Sequence, residues 1–218
     1  GIFTEFIELG YNQDQLRVIN NFSDFELFRE IKFEKSQRKY FIMVSRLIED
    51  KRHIDFLKSY YKTKLYIEYD LLIFGDGNMK EKISSLINDL NISMYVKFIK
   101  TNDRLVLFKL FSQASFTINY SKYEGFPNVV LESLISGTPV LSCQSFHGVI
   151  DIFDYNGPIV NELICTKYGF LFPNSLKFSE ELLNKIKNEK LLFNRKEIRT
   201  SILTNFNMKK ISTQWKNL

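Results

Sequence analysis

Two glutamates, Glu124 and Glu132, lie eight residues apart at the two ends of a short apolar segment. The residues around Glu132 (VVLESLISG) are apolar on nearly every side of a helix, so we expect its carboxylate to be mostly buried. A buried carboxylate needs hydrogen-bond donors around it. In one interpretation, Glu132 pairs with a buried backbone donor and Glu124 lies in solvent. In the other, both carboxylates face a cleft and accept hydrogen bonds from the hydroxyl groups of a sugar or a ribose.

Two cations, Arg46 and Lys51, form a second candidate site at the end of a continuous apolar run, residues 40–45. Each of them alone is typical of a surface charge. Together, at the carboxyl end of a strand, they could clamp a diphosphate, with the arginine as a planar fork and the lysine as a point charge.

The segment that contains both glutamates predicts a strand, a loop, a helix and a further strand. Pro127 fits the first turn of the helix, because its missing N–H would have no helical partner there. The helix is expected at residues 127–136, with Gly137 at its end and the next strand at 138–142. The N-terminus of this helix faces the loop and presents unpaired backbone N–H groups, which suit a phosphate.

The rest of the domain alternates between predicted strands and helices. Strands are expected at residues 40–45, 68–74, 95–99, 115–120 and 139–142, and helices at 51–61, 79–90 and 103–113. This order predicts an α/β fold, a Rossmann-like parallel sheet with helices on both faces. Arg46 and Glu124 then lie at the carboxyl ends of its strands. Gly75 and Gly77 lack the third glycine of a dinucleotide fingerprint, so we interpret them as a tight turn.

The net charge of +5 is concentrated near the end of the chain, where the residues from Lys177 onward include ten Lys or Arg and four Asp or Glu. This end could contact an anionic membrane surface, or it could be the solvated face of ordinary helices, which we favour. No nucleic-acid-binding motif accompanies it, so no nucleic-acid partner is expected. With no long apolar run and no signal peptide, we expect a cytoplasmic location, and a peripheral contact with the inner face of the membrane stays open.

Cysteine and histidine are scarce. Cys143 and Cys165 lack metal-ligand spacing, and we expect free thiols. With only two histidines in the chain, a multi-histidine metal site is not expected.

The string EGFPNVVLES, followed by GTPV, resembles the E-x7-E signature of the family 4 retaining glycosyltransferases, which have the two-domain GT-B fold. In that family the signature lies in the C-terminal, donor-binding domain. The segment SRLIEDK is similar to the family's G/S-R-L-x-x-x-K segment, and residues 168–173 (YGFLFP) are similar to its Gly-x-Leu-x-Pro strand. Lys100 departs from the family, because many members have a glycine at this point, near the nucleobase.

The resemblance implies a role for each residue of the site. Arg46 and Lys51 contact the diphosphate of the donor, Glu124 binds hydroxyls of the donor sugar, and we assign these three residues to catalysis. Glu132 holds the ribose. Sugar and phosphate oxygens meet the backbone of the loop and first helical turn, at Gly125, Phe126, Pro127, Asn128 and Val129. The donor is a UDP- or GDP-sugar, and neither a metal nor a cofactor is expected, since these groups stabilise the developing phosphate charge.

The resemblance also divides the chain. Residues 1–38 are expected to be an inter-domain segment, in which residues 16–20 could form a short strand. Residues 39–206 are expected to form the nucleotide-sugar-binding Rossmann-like domain, and residues 207–218 a helix that crosses back to an N-terminal acceptor domain. Members of the family are about twice as long as this chain, so that acceptor domain is expected to be missing here.

The implied function is that of the donor-binding half of a retaining glycosyltransferase, the C-terminal half of a GT-B fold. It would move a hexose from a nucleotide-diphosphate sugar to a glycan or lipid-linked acceptor, in bacterial cell-envelope polysaccharide synthesis such as that of lipopolysaccharide. The isolated chain is expected to bind donor without transferring sugar. Two alternatives stay open: a catalytically incompetent nucleotide-sugar-binding or interaction module, and an epimerase or phosphorylase-like enzyme with the GT-B fold.

Overall fold

The computed structural model describes residues 6–17, 19, 21, 36–144, 147–155, 157 and 161–216. The strands are β1 (Tyr40–Val44), β2 (Asp70–Phe74), β3 (Val96–Ile99), β4 (Phe116–Asn119), β5 (Val140–Cys143), β6 (Ile164–Thr166) and β7 (Gly169–Phe172). They form one sheet in the order β3-β2-β1-β4-β5-β7-β6, in which every neighbouring pair is parallel except β6 with β7. The Rossmann-like fold expected from the sequence is confirmed.

Helices cover both faces of this sheet. They are α1 (His53–Lys62), α2 (Lys80–Asp89), α3 (Arg104–Gln113), α4 (Asn128–Ile135), α5 (His147–Ile152), α6 (Leu176–Asn188), α7 (Arg195–Asn205) and α8 (Met208–Lys216). One apolar core lies under α1, α2 and α6, and the other lies under α3, α4, α5, α7 and α8. Among the residues that the structure describes, no helix has both the length and the apolar character needed to cross a membrane.

Strand β1 shows why its apolar run is continuous. Phe41 and Met43 pack into the core under α1, whereas Tyr40 and Ile42 pack into the core on the opposite face. Successive side chains of a strand point to opposite faces, so a strand covered on both sides is apolar at every position.

Strands β1 and β4 are the topological centre of the sheet. They are parallel neighbours, with Phe41 opposite Phe116. From β1 the chain continues outward through β2 and β3, and from β4 it continues in the other direction through β5. The loops that follow two such strands diverge and leave a crevice at the carboxyl edge of the sheet, where ligands of this fold class bind. Residues 45–52 and 120–127 border the crevice, so the topology brings the two groups of predicted site residues together.

The turn after β2 owes its glycines to close packing. A Cβ atom on Gly75 would overlap the carbonyl oxygen of Ser45, and one on Gly77 would overlap that of Leu47. The backbone N–H of Leu47 donates to the carbonyl of Asp76 at 2.9 Å. The glycines therefore let the loops after β1 and β2 meet backbone to backbone, which agrees with their interpretation as a turn.

Several details differ from the sequence predictions. Strand β6 was not predicted, and its antiparallel pairing with β7 makes the sheet mixed rather than wholly parallel. Pro127 does not lie in the first helical turn; it is the N-cap, with an extended ψ of 98°, and α4 begins one residue later. Leu16, Arg17 and Ile19 belong to no strand, and the other residues of the strand expected at 16–20 lie outside the described residues.

A half-buried cation, Arg195, anchors α7. The Arg195 guanidinium donates to the carbonyls of Ser112 (2.7 Å) and Ala114 and to Thr138 Oγ1 (3.2 Å). The two carbonyls lie at the end of α3, where a helix leaves its last carbonyl groups without helical partners. Arg195 thus satisfies these acceptors and fixes α7 to the segments that precede β4 and β5.

Candidate functional site

Lys51 and Glu124 meet across the crevice, where Lys51 Nζ forms an ion pair with Glu124 Oε1. Lys51 ends a 3-10 turn, Glu49–Lys51, and Glu124 lies in the loop before α4. Their side chains are 11% and 16% exposed, so the pair is largely removed from water. The interpretation in which Glu124 lies in solvent was therefore wrong: the loop after β1 supplies a cation that holds it.

Two further hydrogen bonds fix the loop that carries Glu124. The backbone N–H of Lys122 donates to the carbonyl of Asp50 at 2.7 Å, which ties this loop to the 3-10 turn. Ser121 Oγ donates to Glu124 Oε1 at 2.8 Å. The same carboxylate oxygen thus accepts from a lysine and from a hydroxyl, and its position is set before any ligand binds.

Arg46 differs from Lys51 in its surroundings. It follows β1 directly, is exposed, and makes no hydrogen bond or ion pair with any other residue that the structure describes. Of the two predicted cations, Lys51 belongs to a preformed cluster, whereas Arg46 keeps all its donors available at the rim of the crevice.

Glu132 lies on α4 and pairs with a residue that the sequence did not suggest. Arg104 Nη2 is 3.4 Å from Glu132 Oε1, and the two side chains are 55% and 21% exposed. Burial raises the pKa of the Glu132 carboxyl, and the Arg104 charge opposes that shift. The prediction that Glu132 is largely buried is confirmed, but its partner is a side chain and not a backbone donor. Arg104 begins α3, just after β3, and the shared carboxyl edge of β3 and β4 was the signal that could have revealed it.

The N-terminus of α4 opens on the crevice. The backbone N–H of Val130 donates to the Pro127 carbonyl at 3.0 Å, whereas those of Asn128 and Val129 have no acceptor within the described backbone. Pro127 itself has no N–H, so this residue of the predicted backbone set can contribute only its carbonyl and ring. A Cβ on Gly148 would overlap the carbonyl of Gly125. Helix α5 therefore lies directly against the loop and supports it from behind.

One residue of the segment before the domain also reaches this helix end. Asn21 Nδ2 donates to Asn128 Oδ1 at 3.1 Å, across 107 residues of sequence. The inter-domain segment predicted at residues 1–38 therefore contacts the candidate site at this point, which no spacing in the sequence indicated.

His53 shows how the start of α1 is built. Its Nε2 lies 3.1 Å from Ser45 Oγ, and the side chain is almost fully buried. Burial lowers the pKa of His53 to about 4, and the nearby Lys51 charge adds to the shift. The imidazole is therefore neutral at pH 7. It holds the Ser45 hydroxyl and carries no charge into the site.

A cleft of about 870 Å³ lies beside the crevice, on the side of α1 and α2. Its lining includes Asp50, Arg52, His53 and Lys122, but not Arg46, Glu124 or Glu132. This cleft therefore neighbours the predicted site and does not include its charged residues. Among the described residues, no three His, Cys, Asp or Glu side chains lie together as a metal site would require.

Residues 24–197 match the family model of the glycosyl transferases group 1, which covers most of the chain. The chain belongs to this family. The glycosyltransferase resemblance of the EGFPNVVLES segment is thus confirmed over these residues. An uncharacterised glycosyltransferase of Methanocaldococcus jannaschii is 25% identical over an alignment of 203 residues, and the match covers 88% of this chain and 49% of that protein.

A second relative has a named activity. The GalNAc-α-(1→4)-GalNAc-α-(1→3)-diNAcBac-PP-undecaprenol α-1,4-N-acetyl-D-galactosaminyltransferase of Campylobacter jejuni is 28% identical over 174 residues, 77% of this chain and 46% of that enzyme. The group 1 chain thus spans about half the length of these two relatives.

Solved structures agree on the fold. A crystal structure of a Staphylococcus aureus TarM mutant with fondaparinux, α-GlcNAc-glycerol and UDP matches with a TM-score of 0.79 at 20% identity. The match covers 98% of this chain and 41% of the TarM chain. The fold of this group 1 chain is accordingly that of the GT-B glycosyltransferases.

Proposed function

We propose that the chain is the donor-binding half of a retaining glycosyltransferase, which transfers a hexose from a nucleotide-diphosphate sugar to a glycan or lipid-linked acceptor. Membership of the glycosyl transferases group 1 supports sugar transfer. The observation that carries the proposal is the ion pair of Lys51 with Glu124 in the crevice between β1 and β4. It puts a donor for diphosphate oxygens beside an acceptor for sugar hydroxyls, as a nucleotide sugar requires.

Different groups of the site supply the positive charge and the hydrogen-bond donors that a diphosphate needs. Because Glu124 already neutralises Lys51, the net positive field towards a diphosphate comes mainly from Arg46 and the N-terminus of α4. Lys51 has three N–H donors and uses one on Glu124, so two stay available for phosphate oxygens. The backbone N–H groups of Asn128 and Val129 complete the anion site.

Glu132 has the position and the environment to hold the ribose. Its carboxylate lies on α4, at the same edge of the sheet, and within the described part of the chain its ion-pair partner is the exposed Arg104 side chain. The Arg104 guanidinium can swing away at small cost, since exposed ion pairs are worth about 0–1 kcal/mol. Two ribose hydroxyls would then replace the arginine as donors.

The proposed reaction forms a bond between an acceptor hydroxyl and the anomeric carbon of the donor sugar. The bond from that carbon to the diphosphate breaks on the same face, so the anomeric configuration is kept. Negative charge builds up on the departing diphosphate, and Arg46, Lys51 and the α4 N–H groups stabilise it where it develops. These groups already supply positive charge at the leaving oxygen, and the proposal includes neither a metal nor a cofactor.

UDP is the nucleotide that we favour, because the TarM structure contains UDP, and GDP is the alternative to test. The named activity of the Campylobacter relative, which acts on an undecaprenol-linked glycan, supports a lipid-linked glycan as the acceptor. We place this acceptor in cell-envelope polysaccharide synthesis. An N-terminal acceptor domain and a membrane surface that presents such an acceptor are the partners that this proposal implies.

The decisive experiment uses the protein encoded by the complete gene, with UDP- and GDP-sugars and a lipid-linked or free-sugar acceptor. The anomeric coupling constant of the product is measured by proton NMR. The proposal predicts an α-linkage from an α-linked donor. A β-linkage contradicts retention, a new nucleotide sugar formed without acceptor supports an epimerase, and donor binding without any product supports a binding module.

A further inference from the structure

Three polar side chains lie buried directly behind Glu124. Asn119 ends β4, Ser121 follows it, and Ser142 is the residue of β5 that lies opposite Asn119 in the sheet register. All three are buried, and Ser121 is only 2% exposed. Burial of hydroxyl and amide groups is costly unless hydrogen bonds compensate for it. We therefore expect these three residues at the ends of two core strands to hydrogen-bond to one another.

Their contacts form a chain that ends at the carboxylate. Asn119 Nδ2 lies 2.9 Å from Ser142 Oγ, Asn119 Oδ1 lies 3.2 Å from Ser121 Oγ, and Ser121 Oγ donates to Glu124 Oε1 at 2.8 Å. Beyond Glu124 the chain continues to Lys51. It thus runs from β5 through β4 to the ion pair that bridges the crevice.

The donor and acceptor groups allow the chain to run in one direction towards Glu124. Ser121 has one hydroxyl proton and two acceptors nearby, and the charged, nearer carboxylate takes it. A half-turn of the Asn119 amide exchanges its oxygen and nitrogen with almost no movement of the atoms. The amide nitrogen then donates to Ser121. The Ser142 hydroxyl, which also lies 3.2 Å from the Cys143 carbonyl, turns to the nearer amide oxygen at 2.9 Å. In this arrangement every buried group has a partner, and each donor points towards Glu124.

We propose that Ser121 and Asn119 are positioning residues of the donor site, which hold the Glu124 carboxylate in the orientation that receives the sugar hydroxyls. The inference rests on the proposed function, since it assigns sugar contact to Glu124. Ser121 is too deeply buried to touch a ligand, so it acts through Glu124. Lys51 alone cannot set that orientation, because an ammonium group is a point charge on a flexible stem. Ser121 is buried just after the end of β4 and is bonded to Asn119, the last residue of that strand.

A positioning role for Ser121 predicts different effects on the sugar part and on the UDP part of the donor. Loss of the Ser121 hydroxyl should weaken contacts to the sugar, which Glu124 makes. It should leave contacts to UDP nearly unchanged, since Arg46, Lys51, Glu132 and the α4 N-terminus make those, and the hydroxyl of Ser121 bonds to Glu124 and not to Lys51. A merely structural role would affect UDP and a UDP-sugar alike.

The test is isothermal titration with UDP and with the UDP-sugar that the wild type binds best among UDP-glucose, UDP-galactose, UDP-GlcNAc and UDP-GalNAc. The variants are Ser121→Ala, Ser121→Thr, which keeps the hydroxyl, and Ser112→Ala as the matched control. Ser112 is also fully buried, and among the described residues its hydroxyl bonds to the Lys109 carbonyl on its own helix α3 (2.9 Å). Melting temperatures show whether Ser121→Ala and Ser112→Ala lose similar stability.

We expect Ser121→Ala to weaken UDP-sugar binding about tenfold, the loss of one hydrogen bond to a charged group, and UDP binding less than about twofold. Ser121→Thr should recover most of the difference, and Ser112→Ala should change neither affinity. Equal loss of UDP and UDP-sugar binding in Ser121→Ala, or no loss of either, would overturn the positioning role. If the wild type binds neither ligand, the proposed function itself fails, and that outcome is separate from the others.

Discussion

The Glu132 carboxylate and the Arg104 guanidinium, 3.4 Å apart, join the start of α3 to the middle of α4 at the edge of the sheet. The pair is unequal, because the carboxylate is mostly buried and the guanidinium is mostly exposed. Such a pair contributes little to stability, since water screens the arginine. Glu132 is thus a poorly compensated charge in the unliganded protein, as expected of a residue whose partner is a ligand.

The variant Glu132→Gln should be at least as stable as the wild type at pH 7 and should bind nucleotide more weakly. The pKa of Glu132 is raised in the folded state, so the fold binds this proton more tightly than the unfolded chain does. Stability is therefore lost as the pH rises from the ordinary carboxyl pKa through the raised one, and glutamine removes this loss. Denaturant unfolding at several pH values, with UDP titration, checks both effects. Reduced stability with unchanged binding would mean that Glu132 is structural.

Replacement of Lys51 should lower both stability and UDP affinity, whereas replacement of Arg46 should lower UDP affinity alone. Lys51→Ala leaves Glu124 largely buried without its cation and should cost about 2–4 kcal/mol of unfolding free energy. Arg46→Ala is the matched control, because Arg46 is exposed and has no partner among the described residues, and its cost should be within about 0.5 kcal/mol. Each should lower UDP affinity by about 1.5–3 kcal/mol. Equal stability of the two variants would contradict the ion pair.

Addition of Glu124→Gln to the Lys51→Ala variant should restore part of the lost stability, since it removes the unpaired charge. It should not restore binding. Chemical denaturation of the single and double variants measures this coupling.

His53 should make the protein less stable as the pH falls from about 6.5 towards 4. Its folded-state pKa is about 4, so below pH 6.5 the unfolded chain takes up a proton that the fold excludes. Over the whole interval this amounts to about 3 kcal/mol, at about 1.4 kcal/mol per pH unit. His53→Gln, which can still bond to Ser45, should flatten the pH dependence of unfolding between pH 6.5 and 5. An unchanged slope in this variant would show that His53 titrates normally.

Arg195→Ala should destabilise the fold by about 2–4 kcal/mol, because it leaves the Ser112 and Ala114 carbonyls without their donor. Arg195→Lys should recover only part of this, since an ammonium group cannot reproduce the planar fork. The neighbouring exposed Lys196 gives the control, and Lys196→Ala should be neutral within about 0.5 kcal/mol. Urea unfolding measures all three. UDP affinity should be unchanged, because Arg195 lies away from the crevice residues.

The sequence was most informative where a local pattern decides the structure. The five strands predicted before residue 143 all form, because runs such as residues 40–45 must be covered on both faces. Strand β6 was missed because Ile164, Cys165 and Thr166 form a short edge strand with partly exposed side chains, which leaves no strong pattern. The residue types of the site were found, but their partners were not. Arg104 meets Glu132 from another helix, and Asn21 reaches Asn128 across 107 residues, so spacing along the chain predicts neither contact. Ser121 lies only three residues before Glu124, but a spacing of three residues in a loop does not by itself predict a hydrogen bond.

The central claim is that the crevice between β1 and β4 binds a nucleoside diphosphate, and titration of UDP into this chain tests it most directly. The wild type should bind UDP, the double variant Arg46→Ala/Lys51→Ala should lose at least about 100-fold in affinity, and the surface control Lys58→Ala should bind like the wild type. Absence of binding of both UDP and GDP to the wild type, or equal affinity in the wild type and the double variant, would contradict the account.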